Sequence, residues 1–515
     1  MAISRLVAVS YKLRLALFMC GASLYFMSFA WAQPVSMGGP ALRVLAPNGA
    51  APDAFTAQPN LSFDGRYLAF SSKARNLLPG IPAGVPDAAL SRQWYLLDRV
   101  TRQLDRVSVN DLGEPQAGGI VDFATETRQL DISDDGRYVV FDSPATNLST
   151  PSPTARLSIY LHDRVTKTTR LISDGLRFSR YPRFVDGLAN EVAFACIPLE
   201  GTGMNGASEE VCISNSQTGA IRRVVLPRPY LALGRVSKNG RYIPCHAPGT
   251  ALGTARAQIA RCDLQTGQVL PIFEISDFAV SFSYLVRFSS DGSVAAFANS
   301  GNLDDSTPGV APYLNVYSWH AASGQIRLLS QSRAGGAAFA LGGTRVAISE
   351  DGRRVAFVSQ DANLVLPQFF DFQARFAIYV RDLDKDYNVY GALLALPPND
   401  LPVHPGIANC EFRTTDFFQT FSTATSNPNC PELSGDGKTL AFSSHDWRYV
   451  AGDLPAPILC GANAFFCNRM IDVFSKSLDD GVQATPVNSL SRLQQVLLAL
   501  FALALGMWAM RRFEN

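Results

Sequence analysis

The chain has 515 residues, with 45 Lys plus Arg against 44 Asp plus Glu and a formal net charge of +1. That balance excludes the basic footprint of a nucleic-acid binder and gives no acidic tail, so no nucleic-acid partner is expected. The hydrophobic share of 47%, together with 39 Gly and 31 Pro, suits a turn-rich all-β chain with a large core.

At the N-terminus, Lys12 and Arg14 precede an apolar stretch from Leu15 to Phe29. Ala30 and Ala32 then supply the small residues of a signal-peptidase site, and residues 1–32 are expected to be a cleaved signal peptide. An uncleaved anchor is the alternative. Cys20 lies inside the apolar stretch and not at its end, which argues against a lipoprotein site. Past a Pro/Gly-containing segment, Ala41 to Ala46 reads as a lone outer strand that can close a ring from the N-terminal side; Val482 to Val487 is the rival closing strand.

From here a phrase recurs seven times. Leu61 to Ser72 (LSFDGRYLAFSS) and Ile132 to Ser143 (ISDDGRYVVFDS) are its fullest copies, with others at Phe184–Cys196, Val236–Ala247, Phe288–Asn299, Ile348–Ser359 and Leu433–Ser444. Each joins two apolar alternating runs through Asp-Gly or Asn-Gly, which supply the positive φ of a tight turn, so each is a β-hairpin. Period-two geometry puts Tyr67 and Ala69 on one face and Leu68 and Phe70 on the other; both faces are apolar, so these strands are sandwiched between neighbouring sheets. A third strand follows at Trp94–Arg99, Ile159–Arg164 and Ile378–Asp382, and a more polar fourth at Leu104–Val109 and Thr169–Ser173. The turn glycines, at 65, 136, 187, 240, 292, 352 and 437, recur at roughly 50- to 85-residue intervals, the propeller signature. The fold expected over residues 33–486 is therefore an all-β, seven-bladed β-propeller of four-stranded antiparallel blades. A pair of smaller propellers or an open sandwich is the alternative.

Loops after the second strand share an Asn-Leu refrain, with Asn76, Asn147 and Asn363 each six residues past the closing Phe. Asn at these positions reads as a turn former. The other reading is a ligand or cation loop, for which Asp304 and Asp305 are the adjacent carboxylates, but no loop has calcium-site spacing.

Setting Cys20 aside, eight of the nine cysteines remain, an even number that points to disulfides in an oxidising compartment. Cys196 lies two residues past the closing Phe194 and Cys212 seven before Gly219. Cys245 occupies the closing-Phe position itself and Cys262 lies five before Gly267. Two residues later on one strand matches two residues earlier on its antiparallel neighbour, so both pairs satisfy one register: Cys196 with Cys212, Cys245 with Cys262. Proximity and elimination pair Cys460 with Cys467 and Cys410 with Cys430. A metal site lacks close Cys-x-x-Cys pairs and neighbouring His ligands.

The S-x-D-G-R-Y-x-A-F phrase, the Asn-Leu refrain and the Asp-Arg-x-Thr segments at Asp98–Thr101 and Asp163–Thr166 resemble TolB-type, WD-like propeller repeats of exported bacterial proteins, over about residues 58 to 480. The resemblance implies periplasmic or surface interaction with a protein and carries over no catalytic residues. No α/β domain like that preceding the TolB propeller is found.

Enzyme signatures are weak. There is no G-x-S-x-G elbow. The histidines, His162, His246, His320, His404 and His445, are scattered, and Asp64, Asp135, Asp291, Asp351 and Asp436 read as turn formers. No catalytic, cofactor or metal residues are assigned.

At the C-terminus, Val496 to Met510 is an apolar run of 15 residues followed by Arg511 and Arg512. With Leu490 and Ser491 in the preceding Val487–Ser491 segment, the layout resembles an IPTL-type sorting signal, although Asn488 stands where that family has Pro. A single-pass anchor is the alternative, and residues 487–515 are expected to form a hydrophobic helix that holds the protein at the membrane at least transiently.

The function expected is an exported, non-enzymatic propeller, periplasmic or at the cell surface, that binds an envelope or extracellular protein, peptide or glycan. The loops Pro79–Ser91 and Tyr387–Asn429 are the expected contributors to binding. A propeller-type hydrolase or lyase acting on extracellular polysaccharide is the alternative.

Overall fold

The computed structural model describes residues between 42 and 478. It leaves out 81–91, 118–129, 186–189, 198–209, 277–285, 331–345, 360–376, 385–388, 393–428, 445–471, most of 300–314 and a few isolated positions. All described strands lie in the compact unit Ser36–Asp479. They form seven four-stranded sheets, every pairing antiparallel. Blade 1 runs β2 (Thr56–Leu61), β3 (Tyr67–Ser72), β4 (Gln93–Asp98) and β5 (Leu104–Arg106). The first strands of blades 2 to 7 are β6 (Leu130–Ile132), β10 (Phe178–Val185), β14 (Leu231–Ala232), β18 (Arg287–Phe288), β22 (Val346–Ile348) and β26 (Asn429–Leu433). Blade 7 takes its second and third strands, β27 (Thr439–Ser444) and β28 (Asp472–Ser477), from the end of the chain and its fourth, β1 (Leu42–Arg43), from the beginning. Leu42 pairs with Ser475, Arg43 with Phe474, and Val44 N donates to the Val473 carbonyl at 2.9 Å. The N-terminal strand is thus the clasp; the rival Val482–Val487 lies outside the described residues.

The propeller expectation holds, and one part of the expected architecture is corrected. Among the described residues no helix is long and apolar enough to cross a membrane, and the helix that is described, α1 (Gly249–Leu252), is a single turn. A 15-residue apolar run would reach only about 22 Å as a helix, short of the ~30 Å hydrocarbon core. The C-terminal hydrophobic helix, the transmembrane feature and the membrane anchorage that depended on it are therefore withdrawn. The sequence segments themselves, Ala30 and Ala32, Leu490, Ser491, Arg511 and Arg512, lie outside the described residues.

The repeated phrase is a turn built by three side-chain bonds. Ser62 Oγ donates to Asp64 Oδ1 at 2.7 Å, and the same carboxylate oxygen accepts the Arg66 amide at 2.9 Å. Ser62 Oγ in turn accepts the Tyr67 amide at 3.0 Å. The set recurs at Ser133–Asp135–Tyr138, Ser289–Asp291–Val294, Ser349–Asp351–Arg354 and Ser434–Asp436–Thr439. The Asp residues are therefore turn formers, and the Ser before them is an equal partner.

The described turns also receive the neighbouring blade. Tyr67 of blade 1 lies against Gly136 of blade 2, where φ is 68° and an added Cβ would sit 2.0 Å from the Tyr67 ring. Arg164 caps the contact, donating to the Gly136 carbonyl at 2.7 Å, to Asp105 of blade 1 at 2.9 Å, and lying 4.8 Å from the Tyr67 ring centroid. The two strand faces divide as period two requires: Tyr67 and Ala69 pack with Val139 and Phe141 of blade 2, whereas Leu68 and Phe70 pack with Ala441 and Val473 of blade 7. In blades 1, 2, 5 and 6 a second-strand Phe stacks on a third-strand Tyr, as Phe70 on Tyr95 with centroids 5.6 Å apart.

The phrase Arg pairs with the Asp that ends the third strand: Arg66 with Asp98 at 2.7 Å, Arg137 with Asp163 at 2.7 Å, Arg241 with Asp263 at 2.8 Å. Arg66 holds the Asp98 carboxyl far below its ordinary range, and Arg137 holds Asp163 at about 2. At Asp263 burial works upward, but Arg241 and the Gln265 and Thr266 amides outweigh it and leave about 2.

Gly136→Ala adds both a positive-φ penalty and a clash, and is expected to cost at least about 2 kcal/mol in urea unfolding. Gly113→Ala, with φ 78° but nothing within 4 Å of an added Cβ, should cost only about 1 kcal/mol. Equal losses at the two sites would show that the Tyr67 contact does not matter.

Because the Asp pKa values are lowered in the folded state, their stabilisation is complete above the unfolded value near 3.8 and is lost as pH falls toward 2. The triple variant D98N/D163N/D263N should be less stable at pH 7 and should lose less on acidification from pH 4 to pH 2.5, followed by the midpoint of urea unfolding.

Candidate functional site

The first strands of the blades converge on the propeller axis, called the channel below, where residues of non-neighbouring blades meet. Lys238 of blade 4 reaches Asp134 of blade 2 and, at 2.8 Å, Glu350 of blade 6. Arg183 of blade 3 lies 3.7 Å from Glu350, and Arg287 of blade 5 lies 3.8 Å from Glu432 of blade 7. Arg235 of blade 4 donates to the Leu130 carbonyl of blade 2 at 2.6 Å, and Asn60 of blade 1 donates to the same oxygen at 3.3 Å.

These residues occupy two repeated positions. One is the residue after the phrase Ser: Phe63, Asp134, Lys238, Ser290, Glu350 and Gly435. Here the turns bond side to side: Asn239 N donates to the Ser290 carbonyl, Ser290 N to Glu350, Glu350 N to Gly435 and Asp436 N to Phe63, at 2.7 to 2.9 Å. Gly435 permits the approach, since a Cβ there would lie 2.3 Å from the Phe63 ring and 2.9 Å from the Glu350 carboxyl carbon. Lys238, only 7% exposed, sits across this end of the channel with its ammonium 5.6 Å from the Phe63 ring centroid. Burial works to lower the Lys238 pKa, but Glu350, Asp131 and Asp134 outweigh it and raise it. Burial raises that of Glu350 against the pull of Arg183 and Lys238. The group is a charged plug that closes the turn end.

The second position, two residues before the phrase Ser, carries Asn60, Asp131, Arg235, Arg287, Ala347 and Glu432, with Arg183 at the matching place in blade 3. Asp131 accepts the Phe184 amide at 3.0 Å. Arg235 keeps some solvent contact yet has protein around it; burial, then Arg287, brings its pKa down to about 10. The Nε atoms of Arg183 and Arg235 are buried with no hydrogen-bond partner among the described residues. This ring can bind an anion through guanidinium forks and hydroxyl groups through its carboxylates.

Sequence reasoning missed the channel residues, although a signal was there: a charged residue two positions before the phrase Ser, or at the matching place, in five of the seven copies. The loops expected to bind, Pro79–Ser91 and Tyr387–Asn429, lie mostly outside the described residues. The Asn-Leu refrain is scaffold: Asn76 accepts the Asp53 amide at 3.0 Å and donates to the Ala51 carbonyl at 2.6 Å, and Asn147 bonds Ala117 and Pro115 in the same way. Asn363, Asp304 and Asp305 lie outside the described residues, as do Gly187, His404 and His445. His162 is buried against Thr169 Oγ1 at 2.8 Å, and burial lowers its pKa to about 4, so it is neutral at pH 7. Among the described residues no group of three or more His, Cys, Asp or Glu gathers as a metal site.

Cys196 and Cys212 are bonded with Cα atoms 5.8 Å apart, and Cys245 and Cys262 with Cα atoms 6.0 Å apart. Cys212 faces Phe194 and Cys245 faces Ala260, so both bonds run diagonally with the same offset. Cys430 lies in β26, while Cys410, Cys460 and Cys467 lie outside the described residues. Replacing Cys196 and Cys212 by Ala should lower stability by about 3 kcal/mol for a loop of this length. An unchanged thermal midpoint would show that the bond contributes nothing.

No family model matches the chain, and no curated protein matches it. Among solved structures it is similar to the β-propeller domain of the Trilobed protease from Pyrococcus furiosus, at 11% identity over 85% of this chain and 98% of that one, TM-score 0.45. It is similar to TolB from Acinetobacter baumannii, at 14% identity over 68% and 70%, TM-score 0.32. It is also similar to oligogalacturonate lyase from Vibrio parahaemolyticus, at 14% identity over 68% and 100%, TM-score 0.34. These likenesses are of overall fold and carry no chemistry.

Proposed function

We propose that the chain is an exported, non-enzymatic ligand-binding propeller with repeats of TolB type, working in the periplasm or at the cell surface and taking its ligand through the central channel. The observation that carries this reading is the ring of polar and charged side chains at one repeated position, Asn60, Asp131, Arg183, Arg235, Arg287 and Glu432, where side chains of non-neighbouring blades meet. A purely structural first strand gains nothing from five charges facing one another, because each is desolvated at a cost. Export is supported by the two disulfides, which persist in oxidising compartments.

The second reading is a hydrolase or lyase acting on extracellular polysaccharide. Glu350, buried and with its pKa raised, favours it as an acid-base candidate. Lys238 weighs against it: its raised pKa keeps it a cation at neutral pH, where it serves Glu350 as a counter-ion and not as a base.

Two assays separate the readings. Immobilised protein is exposed to envelope extract and to arrayed acidic and neutral glycans and peptides, and the same ligands are followed for turnover. Saturable binding without turnover is expected. Turnover that disappears in Glu350→Gln while binding persists would establish the enzyme instead.

A further inference from the structure

The three channel arginines carry more donors than the described protein uses. A guanidinium offers five N–H groups. Among the described residues the three side chains together make one bond at hydrogen-bond distance, from Arg235 to the Leu130 carbonyl at 2.6 Å. The contacts of Arg183 with Glu350 at 3.7 Å and of Arg287 with Glu432 at 3.8 Å are charge proximity without a hydrogen bond. Arg164, about as little exposed as Arg183, by contrast uses all three of its side-chain nitrogens, on Asp105 and the Gly136 carbonyl. The arginines also press on one another, since Arg287 and Arg183 both act against the charge of Arg235.

We propose that this stretch of the channel is a carboxylate-binding site, in which Arg183, Arg235 and Arg287 close on one carboxylate group of a ligand. A planar carboxylate matches the guanidinium fork. Three arginines and Lys238 face Asp131, Asp134, Glu350 and Glu432, so it is the fork geometry and not a surplus of charge that selects the planar group. Asp131, Glu432 and Asn60 beside it accept from hydroxyl or amide groups next to the carboxylate. At the turn end Lys238, Asp134, Glu350 and Phe63 meet across the axis. The inference rests on the reading of the chain as a propeller that binds through its channel.

The test uses the whole exported chain with glucuronate and N-acetylglutamate as probes, at constant ionic strength with chloride and sulfate as controls. Titration calorimetry and thermal shift are the readouts. A saturable rise in Tm with a carboxylate is expected, with the preferred probe showing whether a sugar acid or an acidic side chain is the source. Affinity should fall at least about tenfold in Arg183→Gln and Arg235→Gln. Arg353→Gln, whose partner Asp384 is on the exposed rim, should bind as the parent does. Arg235→Gln should also raise the Tm of the ligand-free protein, because it removes a desolvated like charge; a merely structural arginine would lower it. Arg235→Lys keeps the charge and loses the fork, and should bind more weakly than the parent. A shift no larger than that of chloride, or one that survives Arg183→Gln and Arg235→Gln, overturns the assignment. In the latter case a ligand still binds the propeller, so the broader reading stands; absence of any ligand in the envelope and glycan screen defeats that reading separately.

Discussion

Among the described residues, the blades of this propeller depend on turns that receive their neighbours. The phrase Ser orients the Asp, the Asp fixes the turn amides, and Gly at positive φ leaves a bare backbone surface. Onto that surface comes the first residue of the second strand from the preceding blade: Tyr67 onto Gly136, Tyr242 onto Gly292, Val294 onto Gly352, Arg354 onto Gly437, and Thr439 onto Gly65 to close the circle. A four-stranded sheet with two apolar faces has no stability alone; the turn contact sets the angle at which the next sheet covers it. Closure then needs only one further element, the N-terminal strand beside Asp472–Ser477, which turns a linear stack into a ring held at both chain ends.

The two disulfides have a place in the same logic. Blades 1, 2, 5 and 6 fill the space between sheets with a Phe stacked on a Tyr. In blade 3 the Tyr position is Cys212, and in blade 4 the Phe position is Cys245. Blade 3 lacks the Tyr and blade 4 lacks both rings, with Ala260 facing Cys245, and each has a covalent bond across the same two strands. The bond does what the stacked rings do elsewhere, tying second strand to third, with less buried area and a constraint on the unfolded chain in its place.

The channel has a different character from the blades. Its side chains come from one repeated position but differ from copy to copy, positive at Arg183, Arg235 and Arg287, negative at Asp131 and Glu432, apolar at Ala347. The scaffold repeats because each blade meets the same neighbour; the channel varies because its residues face one shared space. At the turn end of that space an ion cluster around Lys238 spans the axis.

The scaffold was legible in the sequence because its determinants are local. Asp-Gly between alternating apolar runs specifies a hairpin, and the offset of Cys196 and Cys212 from their hairpin landmarks is the offset of Cys245 and Cys262, so both bonds could be read from register alone. Which strand closes the ring was not, since Ala41–Ala46 and Val482–Val487 are equally strand-like and only pairing with Asp472–Ser477 decides between them. Hydropathy at the C-terminus suggested a helical anchor, but 15 apolar residues do not fix how a segment folds, and that part of the expectation was corrected. The channel was hidden for a geometric reason: Lys238 meets Asp134 and Glu350, each more than a hundred residues away and in blades that are not next to its own in the ring. Sequence by itself thus determined the hairpins, the blade count and the two disulfides, all set by near neighbours along the chain. Only the closed ring decided which charges face one another, because that depends on where seven separate strands converge.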